Sequence, residues 1–435
     1  MVRPREFWSS LRQAFNPDEI LAGQRSKDFY CERENDPVEE MLDDFDPTAQ
    51  PIRPPVAFFT GHRGSGKSSL LLRLLEHCKN DYFVVYFDIE HNLDSSKANQ
   101  IDLLYLLGVI IFQVAVREGV SPNRKHLEEL AESVYTVTYE NKKKAKDESL
   151  NVVELTKELL CFGASMLGAG LGEKLAQALL KPFSFTSGVS EEVARKREIE
   201  PRVQDIITNV NLIIADVETR VGKPLFVVVD GLDKLPRLEQ AELVFLDSRA
   251  LRGPICRIMY TVPMLIFSDP RFAQVEEEGN SYLLPNVKLY ERESDTQRDE
   301  EGYQFMCAVV RKRLQAVNLL PEELFEPDVL DLIIAKSGGV MRWFIGLVQE
   351  SCKKAARMKL DKVDRNAAQK AIDNRAAKLT GRLTRETIEE LREVHKKKWP
   401  SGSKESSLLL HGLLIVAYRN RRTWFDAHPL IWDVL

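Results

Sequence analysis

Features of exported and membrane proteins are scarce in this sequence. It has six cysteines among 435 residues, and none of them belongs to a Cys-x-x-Cys pair. Scattered single cysteines are typical of reduced thiols and not of disulfides or a zinc site. The first ten residues carry several charges and contain no apolar stretch of signal-peptide length. We therefore expect a cytoplasmic protein in which the cysteines are packing residues.

Long apolar runs are also missing. A membrane-spanning helix needs about 20 consecutive apolar residues. The nearest candidate, residues 103–116, is interrupted by Tyr105 and Gln113. This pattern predicts a buried helix and no transmembrane segment.

The chain has no large excess of charge of either sign. Its formal net charge is -5, so it has no general attraction to nucleic acid or to acidic membranes. Two lysine-rich runs, 142–144 and 396–398, have acidic residues nearby, which is typical of solvated faces. Nucleic acid stays an open partner that the overall charge does not indicate.

What the sequence does contain is the composition of a large globular protein. Hydrophobic residues make up 44% and charged residues 29% of the chain, enough to build a buried core over two or three domains. Alternating strand-like and helix-like segments in the first 300 residues predict a parallel sheet covered by helices.

A glycine-rich loop between a strand and a helix is the strongest local signal. An apolar run, 56–60, precedes it, and leucines at helical spacing follow it. The loop reads Gly61, His62, Arg63, Gly64, Ser65, Gly66, Lys67, Ser68 and Ser69. Its spacing is Gly-x-x-x-x-Gly-Lys-Ser, the Walker A or P-loop pattern.

The chemistry of such a loop explains its residue types. Glycines let backbone N–H groups converge on phosphate oxygens, and the helix that follows presents its positive end to them. Lys67 would reach the terminal phosphates, and the Ser68 hydroxyl would ligate magnesium. The sequence therefore predicts a bound nucleoside triphosphate with Mg²⁺.

A second apolar strand, 225–230, ends in an acid. Its continuous hydrophobicity is typical of a strand buried on both faces of a parallel sheet. Asp230 is therefore the candidate magnesium carboxylate, with a surface acid that ends a strand as the alternative. Asp233 is the candidate for orienting the attacking water, and it could instead pair with Lys234 or cap a helix.

The segment Asp230-Gly231-Leu232-Asp233 after an apolar run resembles the Walker B region of the NACHT and wider STAND signalling ATPases. The resemblance implies that Asp230 holds magnesium and that Asp233 serves ATP hydrolysis. It also implies a phosphate sensor at Thr261, near the end of the next strand. Lys234 departs from the further acid usual in these families, which implies turnover that is slow or activated by a partner.

Residues 337–342, Ser-Gly-Gly-Val-Met-Arg, resemble the sensor 2 turn of AAA+ ATPases related to origin-recognition proteins. The resemblance implies that Arg342 contacts a phosphate. A positive charge at a helix start opposes the helix dipole, which favours a functional role over that of an ordinary surface arginine. Phe29 and Arg33 loosely match the segment that such ATPases place beside adenine.

Arginine fingers that act on a neighbouring subunit are a further expectation from this chemistry. Four arginines lie between the magnesium acid and the helical region: Arg249, Arg252, Arg257 and Arg271. No guanine-specific Asn-Lys-x-Asp motif is present, and the resemblance favours ATP as the nucleotide.

The predicted fold class is α/β, a three-layer P-loop NTPase with a parallel sheet, a helical insertion, a helical lid and a small winged-helix-like C-terminal module. The expected divisions are an N-terminal prelude at 1–50, a P-loop core at 51–290 with an insertion at about 120–200, a lid at 300–400 and the module at 401–435.

These observations lead to three functional hypotheses. The first is an ATP-binding and ATP-hydrolysing conformational switch in a signalling or defence assembly, acting as a homo-oligomer or on an effector protein. The second is a DNA-associated AAA+ ATPase, a loader or remodeller that binds DNA through its C-terminal module. The third, suggested by Gly231 and Lys234, is a nucleotide-binding scaffold that does not hydrolyse.

Overall fold

The structure is a computed structural model of the 435-residue chain, and it describes residues 3–33, 36–48, 53–89, 99–142, 192–235 and 237–435. Most of the expected insertion, including the stretch at 159–190, lies outside the described residues. The chain divides into two compact units. We call 1–39, 60–74 and 283–435 the helical unit, and 40–59 and 75–282 the sheet unit.

A five-stranded sheet is the centre of the sheet unit. Its strands are β1 (Val56–Gly61), β2 (Phe83–Asp88), β3 (Leu225–Asp230), β4 (Arg257–Val262) and β5 (Asn280–Leu284), in the order β2-β3-β4-β1-β5. β3 pairs in parallel with both β2 and β4. All six residues of β3 are buried, as its continuous apolar sequence predicted.

Helices make up most of the remaining described residues. The first seven are α1 (Arg5–Ala14), α2 (Gly23–Phe29), α3 (Val38–Asp44), α4 (Lys67–Cys78), α5 (Gln100–Arg117), α6 (Arg124–Lys142) and α7 (Glu192–Val221). Three shorter ones follow: α8 (Leu238–Phe245), α9 (Met264–Phe267) and α10 (Ala273–Glu276). Single 3-10 turns occupy Leu232–Lys234, Ala250–Arg252 and Pro270–Phe272.

Helix α5 is the buried helix that its sequence predicted. By length and composition it is the one helix among the described residues that could cross a membrane, but 67% of it is buried inside the protein. It packs against α6, α7 and β2 in the core of the sheet unit. Asn99 caps its start, since the Asn99 side chain accepts the N–H groups of Ile101 and Asp102.

The helical unit has its own apolar core, which α1 shares with the helices that follow the sheet. These helices are α11 (Glu300–Gln315), α12 (Pro321–Leu324), α13 (Val329–Lys336), α14 (Met341–Arg357), α15 (Arg365–Thr380), α16 (Arg385–Lys397) and α17 (Lys404–His411). Two hairpins complete the unit: β6 (Tyr290–Glu291) with β7 (Ser294–Arg298), and β8 (Ile415–Arg419) with β9 (Thr423–Ala427).

The sequence predicts one basic helix around 359–398, a helix at 408–418, a short strand at 423–425 and a closing helix at 426–432, and several of these elements differ in the structure. The single basic helix expected around 359–398 is two helices, because α15 ends at Thr380, with Gly381 as its C-cap, and the Thr384 hydroxyl caps the start of α16. The helix expected at 408–418 ends at His411, where Gly412 and a left-handed Leu413 (φ 61°) turn the chain into β8. The closing helix expected at 426–432 is replaced by the end of β9 and a 3-10 turn, Trp432–Val434.

The fold class predicted from the sequence is confirmed. A parallel sheet with helices, whose first strand leads into the glycine-rich loop and α4, is a three-layer α/β P-loop fold. A helix-and-hairpin module, α17 with β8 and β9, closes the chain.

Candidate nucleotide site

The phosphate loop lies in the helical unit, and its backbone requires two of its glycines. Gly64 has φ 86° and Gly66 has φ 107°, values in the left-handed region that side chains disfavour. A Cβ on Gly64 would lie 2.5 Å from the Cβ of Arg342. Both the turn and the close approach therefore explain why glycine stands at this position.

Lys67 is the first residue of α4 and is nearly fully buried. Its ammonium donates to the carbonyls of Gly61 at 2.7 Å and of His62 at 3.1 Å. The lysine that would reach the terminal phosphates is thus folded back onto the loop that carries it.

Two N-terminal residues bind the loop from outside. The guanidinium of Arg33 donates to the Ser65 carbonyl at 2.5 Å and to the Pro285 carbonyl at 3.2 Å. Burial lowers the pKa of this guanidinium, and the two carbonyls satisfy part of its donor set. The Leu21 N–H donates to the Ser69 hydroxyl at 3.0 Å. These contacts attach the N-terminal segment directly to the loop.

Phe29, the other N-terminal residue expected near adenine, is buried and occupied. Arg25 and Arg313 lie over its ring at 4.4 and 4.9 Å from the centroid. The ring is therefore a packing element of the helical unit in this conformation.

Arg342 is brought to the phosphate loop, chiefly by its backbone. Its N–H donates to the Gly64 carbonyl at 2.9 Å, at the start of α14. The side chain, 34% exposed, lies 3.6 Å from the Asp18 carboxylate and 3.4 Å from the Pro17 carbonyl. The carboxylate and carbonyl offset the cost of a positive charge at a helix N-terminus.

The side chain of His62 is buried, and that of Arg63 is exposed. His62 Nε2 accepts the N–H of Ala417 in β8 at 2.9 Å. Burial, together with the Lys67 ammonium, lowers the pKa of His62 to about 3. The loop is therefore bound by the C-terminal module as well as by the N-terminal segment and α14.

The residues of the loop fit a triphosphate. The Ser65 hydroxyl is buried and makes no hydrogen bond with any residue that the structure describes, so it is an unused donor inside the loop. The Lys67 ammonium and the N–H groups at the start of α4 add the positive potential that phosphates require. Ser68 follows directly and carries the hydroxyl that magnesium takes as a ligand in such loops.

The candidate magnesium acid lies in the sheet unit. Asp230 is 1% exposed at the end of β3. Its Oδ2 accepts the Tyr86 hydroxyl at 2.8 Å, and its Oδ1 accepts the Gly231 N–H at 2.7 Å. These bonds orient the Asp230 carboxylate at the end of β3, and a carboxylate is a ligand type that a hard cation prefers.

A second acid, Asp88, was not assigned a role from the sequence. It ends β2 directly opposite Asp230 in the strand register, and its Oδ2 lies 3.3 Å from the Lys234 ammonium. A Cβ at position 231 would lie 2.2 Å from Asp88 Oδ1, which explains the glycine after Asp230. The sequence contained a pattern that could have indicated Asp88. Residues 83–88 form an apolar run that ends in an acid, and residues 225–230 have the same pattern.

Asp233 and Thr261 lie on elements next to Asp230. Asp233 is in the 3-10 turn Leu232–Lys234 that follows β3. The Thr261 hydroxyl, buried in β4, accepts the Leu232 N–H at 3.1 Å. Thr261 therefore holds the turn that carries Asp233.

The four arginines considered as fingers differ in exposure. Arg252 is buried and pairs with Glu278 at 2.5 Å, and Arg257 is buried beside the Tyr82 ring. The side chains of Arg249 and Arg271 are 79% and 53% exposed. Arg249 pairs with Glu278, and Arg271 pairs with Glu242 and Asp269.

One cluster in the helical unit has metal-ligand residue types but is already an ion-pair network. Ligand atoms of Asp295, His395 and Asp426 lie within 4.8 Å of one another. The Lys398 ammonium lies 2.8 Å from Asp295 and 2.7 Å from Asp426. The ammonium occupies the position between the carboxylates that a cation would take.

No protein-family model matches this chain, and no curated protein matches it in sequence. Among the solved structures that it resembles is Cdc6p from Pyrobaculum aerophilum, at 13% identity and a TM-score of 0.36, covering 96% of this chain and 94% of that one. Another is the Drosophila ORC bound to DNA, at 11% identity and a TM-score of 0.40, covering 100% of this chain and 94% of that one. The function proposed below rests on the residues of this chain.

Proposed function

We propose that this chain is an ATP-binding P-loop ATPase of the AAA+/STAND type that works as a conformational switch. The observation that carries the proposal is the set of contacts around the phosphate loop. Arg33 holds Ser65, Arg342 holds Gly64, and Ala417 holds His62. Three segments that are far apart in sequence therefore meet at the loop, so a change in the loop reaches all of them.

Lys67 would be the first residue to respond to a triphosphate. Its ammonium would leave the carbonyls of Gly61 and His62 for phosphate oxygens, which carry full negative charge. The N–H groups of 64–69 and the Ser65 hydroxyl would bind further phosphate oxygens. Arg342, at the edge of the same loop, is the proposed contact to the terminal phosphate.

Ser68 and Asp230 are the proposed magnesium ligands, with Tyr86 and Gly231 orienting the carboxylate. Magnesium, when bound, neutralises charge that develops on the phosphates during hydrolysis. Asp233 is the proposed residue that orients the attacking water, and Thr261 positions the turn that carries it. Lys234, which pairs with Asp88, stands where the resemblance places a further acid. This difference is consistent with slow or partner-activated turnover.

The test is magnesium-dependent ATP hydrolysis by the purified chain across a protein concentration series, with bound nucleotide quantified. Lys67→Ala and Asp233→Asn are run beside it. The proposal expects turnover by wild type, loss of binding in Lys67→Ala, and binding without turnover in Asp233→Asn. A rise in specific activity with concentration would indicate active sites shared in a homo-oligomer. Wild type that retains ATP without turnover, alone and oligomerised, supports the non-hydrolysing scaffold instead.

A second candidate, a DNA-associated ATPase, is favoured by one surface. Three exposed arginines lie at one end of the β8–β9 hairpin: Arg419 ends β8, and Arg421 and Arg422 follow in the turn. Clustered exposed arginines can contact the phosphates of a nucleic-acid backbone. Replacing all three with Gln should remove salt-dependent binding to duplex DNA if this function is present. DNA binding that is absent in wild type, or unchanged in the triple variant, excludes it.

A further inference from the structure

In the phosphate loop, the backbone and the side chain of His62 bind different partners. Its carbonyl accepts the Lys67 ammonium at 3.1 Å. Its ring Nε2 accepts the Ala417 N–H at 2.9 Å. His62 therefore contacts Lys67 through its carbonyl and the C-terminal module through its ring.

The ring of His62 is enclosed by protein. It is 2% exposed, and the nearby backbone of Leu410 in α17 partly opposes the lowering of its pKa. Nε2 accepts the N–H of β8, so this nitrogen carries no hydrogen while the bond is made.

The part of β8 that His62 binds is in turn tied to the turn before Arg342. The Tyr418 hydroxyl donates to the Gly338 carbonyl at 2.9 Å. His428, which follows β9, contacts the Ser337 carbonyl at 3.1 Å and lies against Gly338. The module thus holds both the phosphate loop and the segment that leads into α14.

The Ala417 peptide is the centre of these contacts. Its N–H goes to His62, and its carbonyl accepts both the backbone N–H and the side-chain amide of Asn286, at 3.0 and 3.2 Å. A shift of His62 would leave the buried Ala417 N–H unpaired. A buried unpaired N–H costs about 1–3 kcal/mol. When the loop moves, β8 therefore has to move with it, or the bond between Ala417 and His62 breaks.

We propose that His62 is a positioning residue that couples occupancy of the phosphate loop to the docking of the C-terminal module, residues 404–435. The proposal rests on the function proposed above. When Lys67 turns to a phosphate, it leaves the His62 carbonyl, and the loop that carries the His62 ring changes its position against β8. By linkage, a docked module alters ATP affinity by the same factor as ATP alters docking.

The expected size of this coupling follows from that of other linked sites. Such couplings change affinities by about 5- to 150-fold. In the full chain, Mg-ATP should therefore change the hydrogen-exchange rate of amides in β8 by at least about 5-fold. The change should include Ala417, whose N–H is the one bound to His62.

The test measures hydrogen exchange over residues 404–435 in the full chain, with and without Mg-ATP, with nucleotide binding quantified in the same samples. His62→Phe keeps an aromatic ring but cannot accept the Ala417 N–H. We expect the exchange rates of β8 in this variant no longer to respond at a Mg-ATP concentration that its own titration shows to be saturating. His62→Gln, whose amide can accept the Ala417 N–H, should restore most of the response. His411→Phe, an exposed histidine of α17, is the matched control and should respond as wild type.

The outcomes separate this inference from the proposed function. If wild type binds no nucleotide, the proposed function fails. If wild type binds Mg-ATP and β8 does not respond, or responds equally in His62→Phe, the coupling through His62 is wrong while the nucleotide function stands. If His62→Phe does not fold, the comparison of wild type, His62→Gln and His62→Leu decides. A wild-type response that His62→Gln retains and His62→Leu removes supports the inference, and a response that His62→Leu retains overturns it.

Discussion

The backbone N–H of Arg342 donates to the Gly64 carbonyl at 2.9 Å. The contact joins the first turn of α14 to the middle of the phosphate loop, and the Cβ of Arg342 fills the space where a side chain on Gly64 would lie. The loop and the helix therefore fit each other only when position 64 has no side chain.

Replacing Gly64 with alanine is the direct test of this fit. The new Cβ would lie 2.5 Å from Arg342 Cβ, on a residue with φ 86°. The left-handed conformation costs a non-glycine residue about 1–2 kcal/mol, and the clash forces α14 or the loop to move. We expect Gly64→Ala to weaken ATP binding at least tenfold, measured by titration with a fluorescent ATP analogue.

Gly402→Ala is the matched control. Gly402 has φ 79°, and no described atom lies within 4 Å of the position of its Cβ. It therefore has the same backbone cost without the contact. Equal loss of ATP affinity in both variants would show that strain alone, and not the contact with Arg342, is responsible.

The sequence was sufficient for the parts of the site that depend on local pattern. The strand, glycine loop and helix around Lys67 follow from residue spacing, and the end of β3 at Asp230 follows from a continuous apolar run. The turn residues at 64 and 66 follow from the same pattern. In each case the physical requirement is satisfied by neighbours in sequence.

The sequence was not sufficient for contacts that depend on the tertiary fold. Nothing in the residues around His62 indicates that Ala417 binds its ring, and Arg33 gives no local sign that it holds Ser65. Asp88 lies opposite Asp230 only because β2 and β3 pair in that register. The C-terminal helix was predicted too long because Leu413 takes a left-handed conformation that its residue type disfavours.

The Lys234–Asp88 pair makes a prediction about stability. The two side chains are 15% and 7% exposed, so Lys234→Met leaves a buried carboxylate beside Asp230. Breaking a buried pair by removing one partner costs about 3–5 kcal/mol. We expect Lys234→Met to lower the free energy of unfolding in urea by that amount.

Two further variants make the comparison specific. Lys234→Met with Asp88→Asn removes both charges of the pair and should recover most of the loss, because the carboxylate that faced Lys234 is then neutral. Lys79→Met breaks the exposed Lys79–Glu76 pair and should change stability by less than about 1 kcal/mol. A single variant as stable as Lys79→Met would contradict the prediction.

The free energy of unfolding should also depend on pH, because two buried histidines and the buried Asp102 change it in opposite directions. Burial lowers the pKa of both His62 and His428 to about 3, against about 6.5 in the unfolded chain. Between these values the unfolded state binds more protons. The histidines therefore contribute stability that is complete above about pH 6.5 and is lost as the pH falls towards 3.

Asp102 acts in the other direction. Burial raises the pKa of its carboxyl to about 7, against about 3.9 in the unfolded chain. Its contribution is complete below about pH 3.9 and is lost as the pH rises towards 7. Between pH 4.5 and 6 the unfolded state binds two more protons at the histidines and one fewer at Asp102. The net difference is one proton, so these three groups raise the free energy of unfolding by about 1.4 kcal/mol per pH unit.

Asp102→Asn should therefore steepen the rise of stability with pH. Without Asp102 the unfolded state binds two more protons than the folded state at these groups. Their contribution to the free energy of unfolding should therefore rise about twice as steeply with pH between pH 4.5 and 6. Urea unfolding at four pH values measures the slope in wild type and variant. His126→Asn, at a partly exposed histidine of α6, serves as a comparison. An identical slope in Asp102→Asn and wild type would refute a protonated Asp102.

The last prediction concerns the forked contact of Arg33. Its two terminal nitrogens donate to different carbonyls, those of Ser65 and Pro285, which a single lysine ammonium does not reproduce. We expect Arg33→Lys to weaken ATP binding by about tenfold, the equivalent of one charge-assisted hydrogen bond at about 1.4 kcal/mol. Arg12→Lys, in α1, is the control. Unchanged ATP affinity in Arg33→Lys would mean that the N-terminal segment does not shape the loop, because Ser65 would then keep its position without the second bond.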